Sequence, residues 1–423
     1  MTEHSKENIQ RAMRNALSNF GFQLDLQEEE QSNDQRIYGI IGAVIGDIVG
    51  CRFESKGSKI PQRPFQLFCA NSSFTDDSMM TIAIADALLH GKSYKEAMQE
   101  WGHKYPGAGF GGNFKKWLKG EGRSDSAGNG SGMRISPVGF RGKTLDVVLK
   151  MAKDATVPSH NSTEGIKAAQ AIATSIFLAR NGKSKADIKA YVEATFKYDL
   201  SQSEDDIKND IRLERHNCFL AQYATPFAII AFLNGTDYED VIRRAVSYGG
   251  DTDTVACMAG SIAAAFYGVP VALAEQAAYY LPTDLLKVIN EFDGTALSNH
   301  RVTPPMVKRW STQTVVVYGS NADDTEGEGG FHDTHFGRYN RRPMKGFAIH
   351  TIGTSMDVIE KDVQALIAKV KAEPEKTFVI EDVGISKKTH LGVEVMAPLF
   401  EPLKGMDNVF FVKEYWDYYK LNP

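Results

Sequence analysis

Two short acidic clusters hold the densest chemistry in the sequence. The first is Phe74-Thr75-Asp76-Asp77-Ser78 and the second is Gly249-Gly250-Asp251-Thr252-Asp253-Thr254, each directly ahead of an apolar, helix-periodic run. Thr and Asp at such places are ordinary helix caps, because their oxygens accept from orphan N–H groups and their charge complements the helix dipole. Read singly, either cluster is a cap. Read together they exceed that need, since a cap uses one side chain, or two in a capping box. Carboxylate and hydroxyl oxygens without His or Cys form the donor set of a hard cation such as magnesium. Four carboxylates brought together without a cation would repel and raise one another's pKa, and two divalent ions would relieve that strain.

A third segment is rich in glycine. Tyr105-Pro106-Gly107-Ala108-Gly109-Phe110-Gly111-Gly112 is followed by Gly128-Asn129-Gly130-Ser131-Gly132-Met133-Arg134. Glycine lets a backbone approach a ligand closely, and successive N–H groups cradle phosphate. Arg134 would add a charged contact. Glycine-rich stretches also serve as plain flexible turns, so this segment gains meaning only beside the acidic clusters.

The elements that must position these residues are helical. Apolar residues recur at helical spacing over 78–90, 163–180, 219–233, 254–267 and 272–280, punctuated by Gly and Pro. Small residues at Gly39, Ala43, Gly46 and Gly50 predict close helix packing around a buried site. After about residue 311 the texture changes. Residues 314–318, 347–350, 378–381 and 409–412 read as short buried strands, and 355–373 as an amphipathic helix. The expected organisation is an N-terminal extension over 1–36, a mainly α domain over 37–305, and a small C-terminal α/β domain over 312–423.

Bulk properties narrow the function classes. The 423 residues are 42% hydrophobic, enough for a sizeable core, and the net charge of −5 leaves no basic field for nucleic acid. Cys51, Cys69, Cys218 and Cys257 lie far apart, with neither zinc spacing nor a disulfide framework. No apolar run approaches the roughly 20 residues of a membrane span, and residues 1–20 lack a secretory core. The expected setting is the cytoplasm, with no membrane partner.

Four blocks in order carry a resemblance. They are I-x-G-A-V-I-G-D-I-V-G-x-x-F-E (40–54), F-T-D-D-S-M (74–79), G-N-G-S-G-M-R-x-S-P-V-G (128–139) and S-Y-G-G-D-T-D-T-V-A-x-x-A-G-S-I-A-A-A-F-Y-G-V-P (247–270). Over residues 37–300 the chain resembles the bacterial ADP-ribosylglycohydrolases, relatives of the dinitrogenase-reductase-activating glycohydrolase. The resemblance implies an orthogonal helical bundle with a binuclear magnesium site, in which manganese can substitute. It implies ligands from Thr75, Asp76 and Asp77 on one side and from Asp251, Asp253 and Thr254 on the other, with Asp253 bridging. It places the ADP-ribose diphosphate against Gly107, Gly109 and Gly111 and against Gly128, Asn129, Gly130, Ser131, Met133 and Arg134. Glu54 matches a position that lies at the ribose in some members, and Asp76, Asp77, Asp253 and Glu54 are the candidate catalytic carboxylates. Gly132 departs from the pattern, standing where Ala is usual.

The implied activity is hydrolysis of ADP-ribose from a mono-ADP-ribosylated protein, with arginine the first linkage to test. Hydrolysis of a free ADP-ribosyl metabolite is a further reading. The flanking segments raise others. Ile9, Met13, Ala16, Leu17 and Phe20 form one apolar stripe ahead of an acidic stretch at 25–34. That arm either packs on the bundle or binds a partner, such as an ADP-ribosyltransferase toxin neutralised by an immunity protein. In the C-terminal region Val315–Asn321 weakly resembles small Rossmann-like domains, some of which are compared with nucleotide-binding folds. His332 and His335 read as an ordinary loop or as two metal ligands lacking a third.

Overall fold

The computed structural model describes residues 35–54, 60–69, 72–210, 216–298, 314–321, 345–381, 383–385, 391–406 and 408–419. The N-terminal arm at 1–34, the 299–313 boundary and the His332/His335 segment lie outside these residues. Helices fill the first part in the order α1 Ile41–Gly50, α2 Asp76–His90, α3 Tyr94–Lys104, α4 Gly112–Leu118, α5 Gly130–Met133, α6 Ser136–Arg141, α7 Leu145–His160, α8 Thr163–Arg180, α9 Lys185–Phe196, α10 Glu204–Lys208, α11 Ala221–Asn234, α12 Tyr238–Ser247, α13 Thr252–Tyr267, α14 Val271–Ala278 and α15 Thr283–Asp293. The helical periodicities fall where the sequence puts them. A two-residue antiparallel pair, β1 Arg36–Ile37 with β2 Val269–Pro270, joins the two ends of this region. Two residues are too few for a period-2 signal, so this pair is new to the structure.

α1 and α13 form the centre. Every residue of α1 is buried, and α13 is buried all round apart from its last two residues. A helix apolar on all faces belongs inside a bundle rather than on its surface. The small residues explain the closeness. A methyl group on Gly46 would lie 2.1 Å from the Ala256 carbonyl oxygen, and one on Gly50 would lie 2.5 Å from the Asp253 Cα. Thr252 Oγ1 donates to the Gly50 carbonyl over 2.9 Å. The C-terminal end of α1 is thereby locked onto the N-terminal turn of α13, which carries the second acidic cluster. Gly132 has an equally local reason: a methyl there would meet Met258 Sδ at 2.7 Å, so the thioether occupies the space of the usual Ala side chain.

The last part is α/β, with its own hydrophobic cluster. Strands β3 Thr314–Asn321, β4 Lys345–Ile352, β5 Thr377–Ile380 and β6 Val409–Phe411 form one parallel sheet in the order β4-β3-β5-β6. Helices α16 Met356–Ala372, α17 Val393–Phe400 and α18 Lys413–Tyr418 complete it. Among the described residues, no helix is long and apolar enough to cross a membrane.

Candidate functional site

The two acidic clusters start α2 and α13, and both line one cleft of about 480 Å³. At α2, Thr75 is a true N-cap: its Oγ1 accepts from the Asp77 N–H over 3.3 Å. The cap is itself held from α1. Thr75 Oγ1 donates to Asp47 Oδ1 over 2.7 Å, while Asp47 Oδ2 accepts from the N–H groups of Thr75 and Ser78 (2.7 and 3.0 Å) and from Ser78 Oγ (2.5 Å). Asp47 is fully buried. It is the one charge in an otherwise apolar helix, and four donors make its burial tolerable. In the sequence this residue stands inside the 40–54 motif with no role of its own. The signal was present: a lone Asp amid I-G-A-V-I-G-D-I-V-G must find partners.

At α13 the chain behaves differently. Asp251 occupies the N-cap position and makes no cap. Gly249 and Gly250 before it hold φ of +84° and +72°, a backbone that side-chain-bearing residues rarely adopt. This turn presents both acids to the cleft. Asp251 accepts from Asn129 Nδ2 over 2.5 Å, and Asp253 Oδ1 accepts from the Thr254 N–H over 3.0 Å.

Carboxylate oxygens converge in two groups, each within 4.8 Å: Asp47, Asp77 and Asp253, and Glu54, Asp251 and Asp253. Asp253 belongs to both. Burial, followed by the charges of Asp253, Asp47, Asp76 and Asp251, pushes the Asp77 carboxyl well above the usual range. Asp251 is raised too, by burial and then by Asp253 and Glu54, against the pull of Asn129. Asp77 Oδ1 is buried with no hydrogen-bond partner among the described residues. An orphaned carboxylate oxygen inside an all-oxygen acidic pocket suits a hard divalent cation. Asp76 and Thr254 also line the cleft.

The glycine-rich segments form the remaining wall. Gly109, Gly111, Gly128, Asn129, Gly130, Met133 and Arg134 line the cleft, whereas Gly107 and Ser131 do not. Ser131 is fully buried and donates to the Gly165 carbonyl over 2.8 Å, so its role is to hold the loop on α8. Arg134 is completely buried, and burial lowers its pKa to about 9. Its Nη2 donates to Ser159 Oγ over 2.8 Å, while Nε and Nη1 have no hydrogen-bond partner among the described residues.

Ser159 Oγ lies 2.8 Å from His160 Nδ1. The hydroxyl accepts from Arg134, and the direction of its bond with Nδ1 follows the imidazole tautomer. Burial and then the Arg134 charge hold His160 well below its ordinary pKa, so the ring is neutral. A methyl on Gly130 would lie 2.9 Å from Nε2, so this glycine leaves room for the ring. Phe114 stacks with Trp117 at 5.0 Å between centroids and adds an aromatic wall. His160, Phe114 and Trp117 carried no sequence signal, because a lone His at a helix end and apolar-spaced aromatics look like core.

Comparison with known proteins follows the same outline. Residues 29–300 match the family model described as ADP-ribosylglycohydrolase. ADP-ribosylarginine hydrolase Tri1 of Pseudomonas putida (strain GB-1) is 27% identical over 57% of this chain and 72% of its own. ADP-ribosylhydrolase ARH3 of Homo sapiens is 24% identical over 58% of this chain and 90% of its own. A solved structure described as an ADP-ribosylglycohydrolase-related protein complex is 23% identical and covers 62% of this chain and 95% of its own, with a TM-score of 0.45.

Proposed function

The chain belongs to the ADP-ribosylglycohydrolase family, and from that premise we propose that its acid-lined cleft hydrolyses ADP-ribose from mono-ADP-ribosylated protein side chains, arginine first. The observation that carries the proposal is Asp253, common to two groups of converging carboxylates beside the orphaned Asp77 Oδ1. Asp77, Asp253, Asp251 and Glu54, with Thr75, Asp76 and Thr254 around them, would hold two magnesium ions. When bound, the ions supply positive charge and Lewis acidity at the ribose.

Asp47 acts on α2 from behind. With Oδ1 and Oδ2 both accepting hydrogen bonds, it fixes Thr75 and the first turn, and so sets the direction of Asp77. Asn129 does the same for Asp251. The amides around Gly109, Gly111, Gly128 and Gly130 take the diphosphate, with the Arg134 charge behind them and the neutral His160 ring beside Gly130. Carboxylates flanking the anomeric carbon stabilise positive charge that develops on the ribose as the bond breaks. Glu54, Asp76 or Asp77 handles the proton passed between water and the leaving group.

The similarity to Tri1, named an ADP-ribosylarginine hydrolase, supports arginine as the linkage. Parallel assays on arginine- and serine-linked ADP-ribosylated peptides in magnesium test it. Faster release from arginine is expected; release from serine alone would overturn the linkage and leave the site standing.

A further inference from the structure

A protein substrate reaches the cleft acids through one modified side chain, because a cleft of about 480 Å³ admits no more of it. A standard interface covers about 800 Å² of each partner, so the body of that protein lies against the rim. The charge of the rim then selects which protein surfaces can settle there.

One part of the rim is basic. α4 and the turn after it, G-N-F-K-K-W-L-K-G-E-G-R (112–123), carry Lys115, Lys116, Lys119 and Arg123 against a single carboxylate, Glu121. Phe114, Trp117 and Arg123 line the cleft, while Lys115, Lys116 and Lys119 on the same element are exposed. Arg123 pairs with Asp125 at the surface. The three lysines form no ion pair among the described residues, and the other charges lining the cleft are carboxylates and the buried Arg134. These cations ride on a fixed support. Gly120, at φ +77°, reverses the chain, and the Gly120 and Glu121 N–H groups donate to the Trp117 and Lys116 carbonyls over 3.0 and 2.9 Å. A methyl on Gly122 would lie 2.4 Å from the Trp117 nitrogen, so the turn lies flat on α4 and returns Arg123 to its side. Trp117 Nε1 donates to the Pro158 carbonyl over 2.6 Å, and His103 Nε2 to the Leu118 carbonyl over 2.9 Å. A backbone already held spares part of the ordering cost of binding. Lysines scattered singly are ordinary surface; three unpaired ones beside a cleft mouth make a local positive field in a chain of net charge −5.

We propose that this basic rim docks an acidic surface of the modified protein beside the cleft, an inference that rests on the hydrolase reading above. Complementary rim charge speeds encounter and lowers KM without touching the chemical step. The test uses peptides bearing one ADP-ribosyl-arginine flanked by glutamates or by glutamines, together with free ADP-ribosyl-arginine. At low salt the wild type should show a KM about tenfold lower for the glutamate peptide, and the gap should close as salt rises. The combined Lys115→Glu, Lys116→Glu and Lys119→Glu variant should lose that preference while hydrolysing free ADP-ribosyl-arginine at the wild-type rate. The matching Lys→Arg variant should keep the preference. No preference in the wild type, a preference indifferent to salt, or one that survives the charge reversal would each overturn the proposal. So would displacement of the glutamate peptide by single-stranded DNA of equal charge as readily as by an unlabelled glutamate peptide, since the patch would then be a general polyanion site. Fluorescence anisotropy of the labelled peptides in EDTA reads docking without turnover. If no substrate were hydrolysed, the hydrolase reading would fall, and the anisotropy preference and its loss on charge reversal would still decide the docking proposal.

Discussion

The helix starts at α2 and α13 look alike in sequence and do different work. Thr75 caps α2 and is braced by Asp47, so much of its oxygen capacity is committed within the protein. Asp251 leaves α13 uncapped and turns its carboxylate toward Asn129 and the cleft. The capping explanation of the acidic clusters is therefore right at one helix and fails at the other. A third acid sharpens the contrast. Asp293, at the end of α15, accepts from the Ile40 and Ile41 N–H groups over 2.8 and 3.0 Å and caps α1 from outside its own segment. It lies far from the cleft acids in role: a cap and nothing more.

The contrast predicts opposite signatures for the two kinds of acid. Asp251→Ala should lower hydrolysis on the order of 10²–10³-fold. The same change should raise the melting temperature in EDTA, because it removes a carboxyl group that burial and the neighbouring Asp253 and Glu54 charges disfavour. Initial rates and thermal melts on one preparation check both; a large stability loss would make Asp251 structural. Asp47→Asn should do both kinds of damage, weakening magnesium binding by about 10–100-fold and destabilising the fold by about 1.5–3 kcal/mol. Calorimetric titration with magnesium and urea melts measure the two effects. Asn129→Ala should cost about tenfold in rate through misplacement of Asp251, with little change in melting temperature.

The smallest effect belongs to the pure cap. Burial pushes Asp293 up to about 7, against the pull of the Ile41 and Ile40 amides and the Arg141 guanidinium. A raised acid binds more protons folded than unfolded between its two pKa values, so its contribution to stability falls as pH rises from near 3.8 to about 7. Asp293→Asn should cost about 1 kcal/mol in acid, by giving one amide a poor acceptor, and its deficit should shrink by pH 8. Urea melts across that range would show a constant deficit if the carboxyl were ionised throughout.

Much of this was legible in the chain. The small residues of α1 announced close packing, and the acidic clusters stand directly ahead of α2 and α13. Apolar runs at 314–318 and 378–381 announced buried strands. The strand order was not legible, because pairing between β3, β4 and β5 links residues some 30 to 60 apart and leaves no local trace. Asp47 was visible as an anomaly and became meaningful only through Thr75 and Ser78. The Arg134–Ser159–His160 chain was invisible, since its members are ordinary residues joined by the meeting of α5 with the end of α7. Gly107 and Ser131, expected at the ligand, instead lie off the cleft wall, because a loop's glycines do not say which of them faces inward.

The most direct test is release of free ADP-ribose from an arginine-ADP-ribosylated protein, in magnesium and in EDTA, by wild type and Asp253→Ala. The account predicts magnesium-dependent release by wild type, abolished by EDTA and reduced on the order of 10³-fold by the substitution. Release that survives Asp253→Ala near the wild-type rate would contradict it.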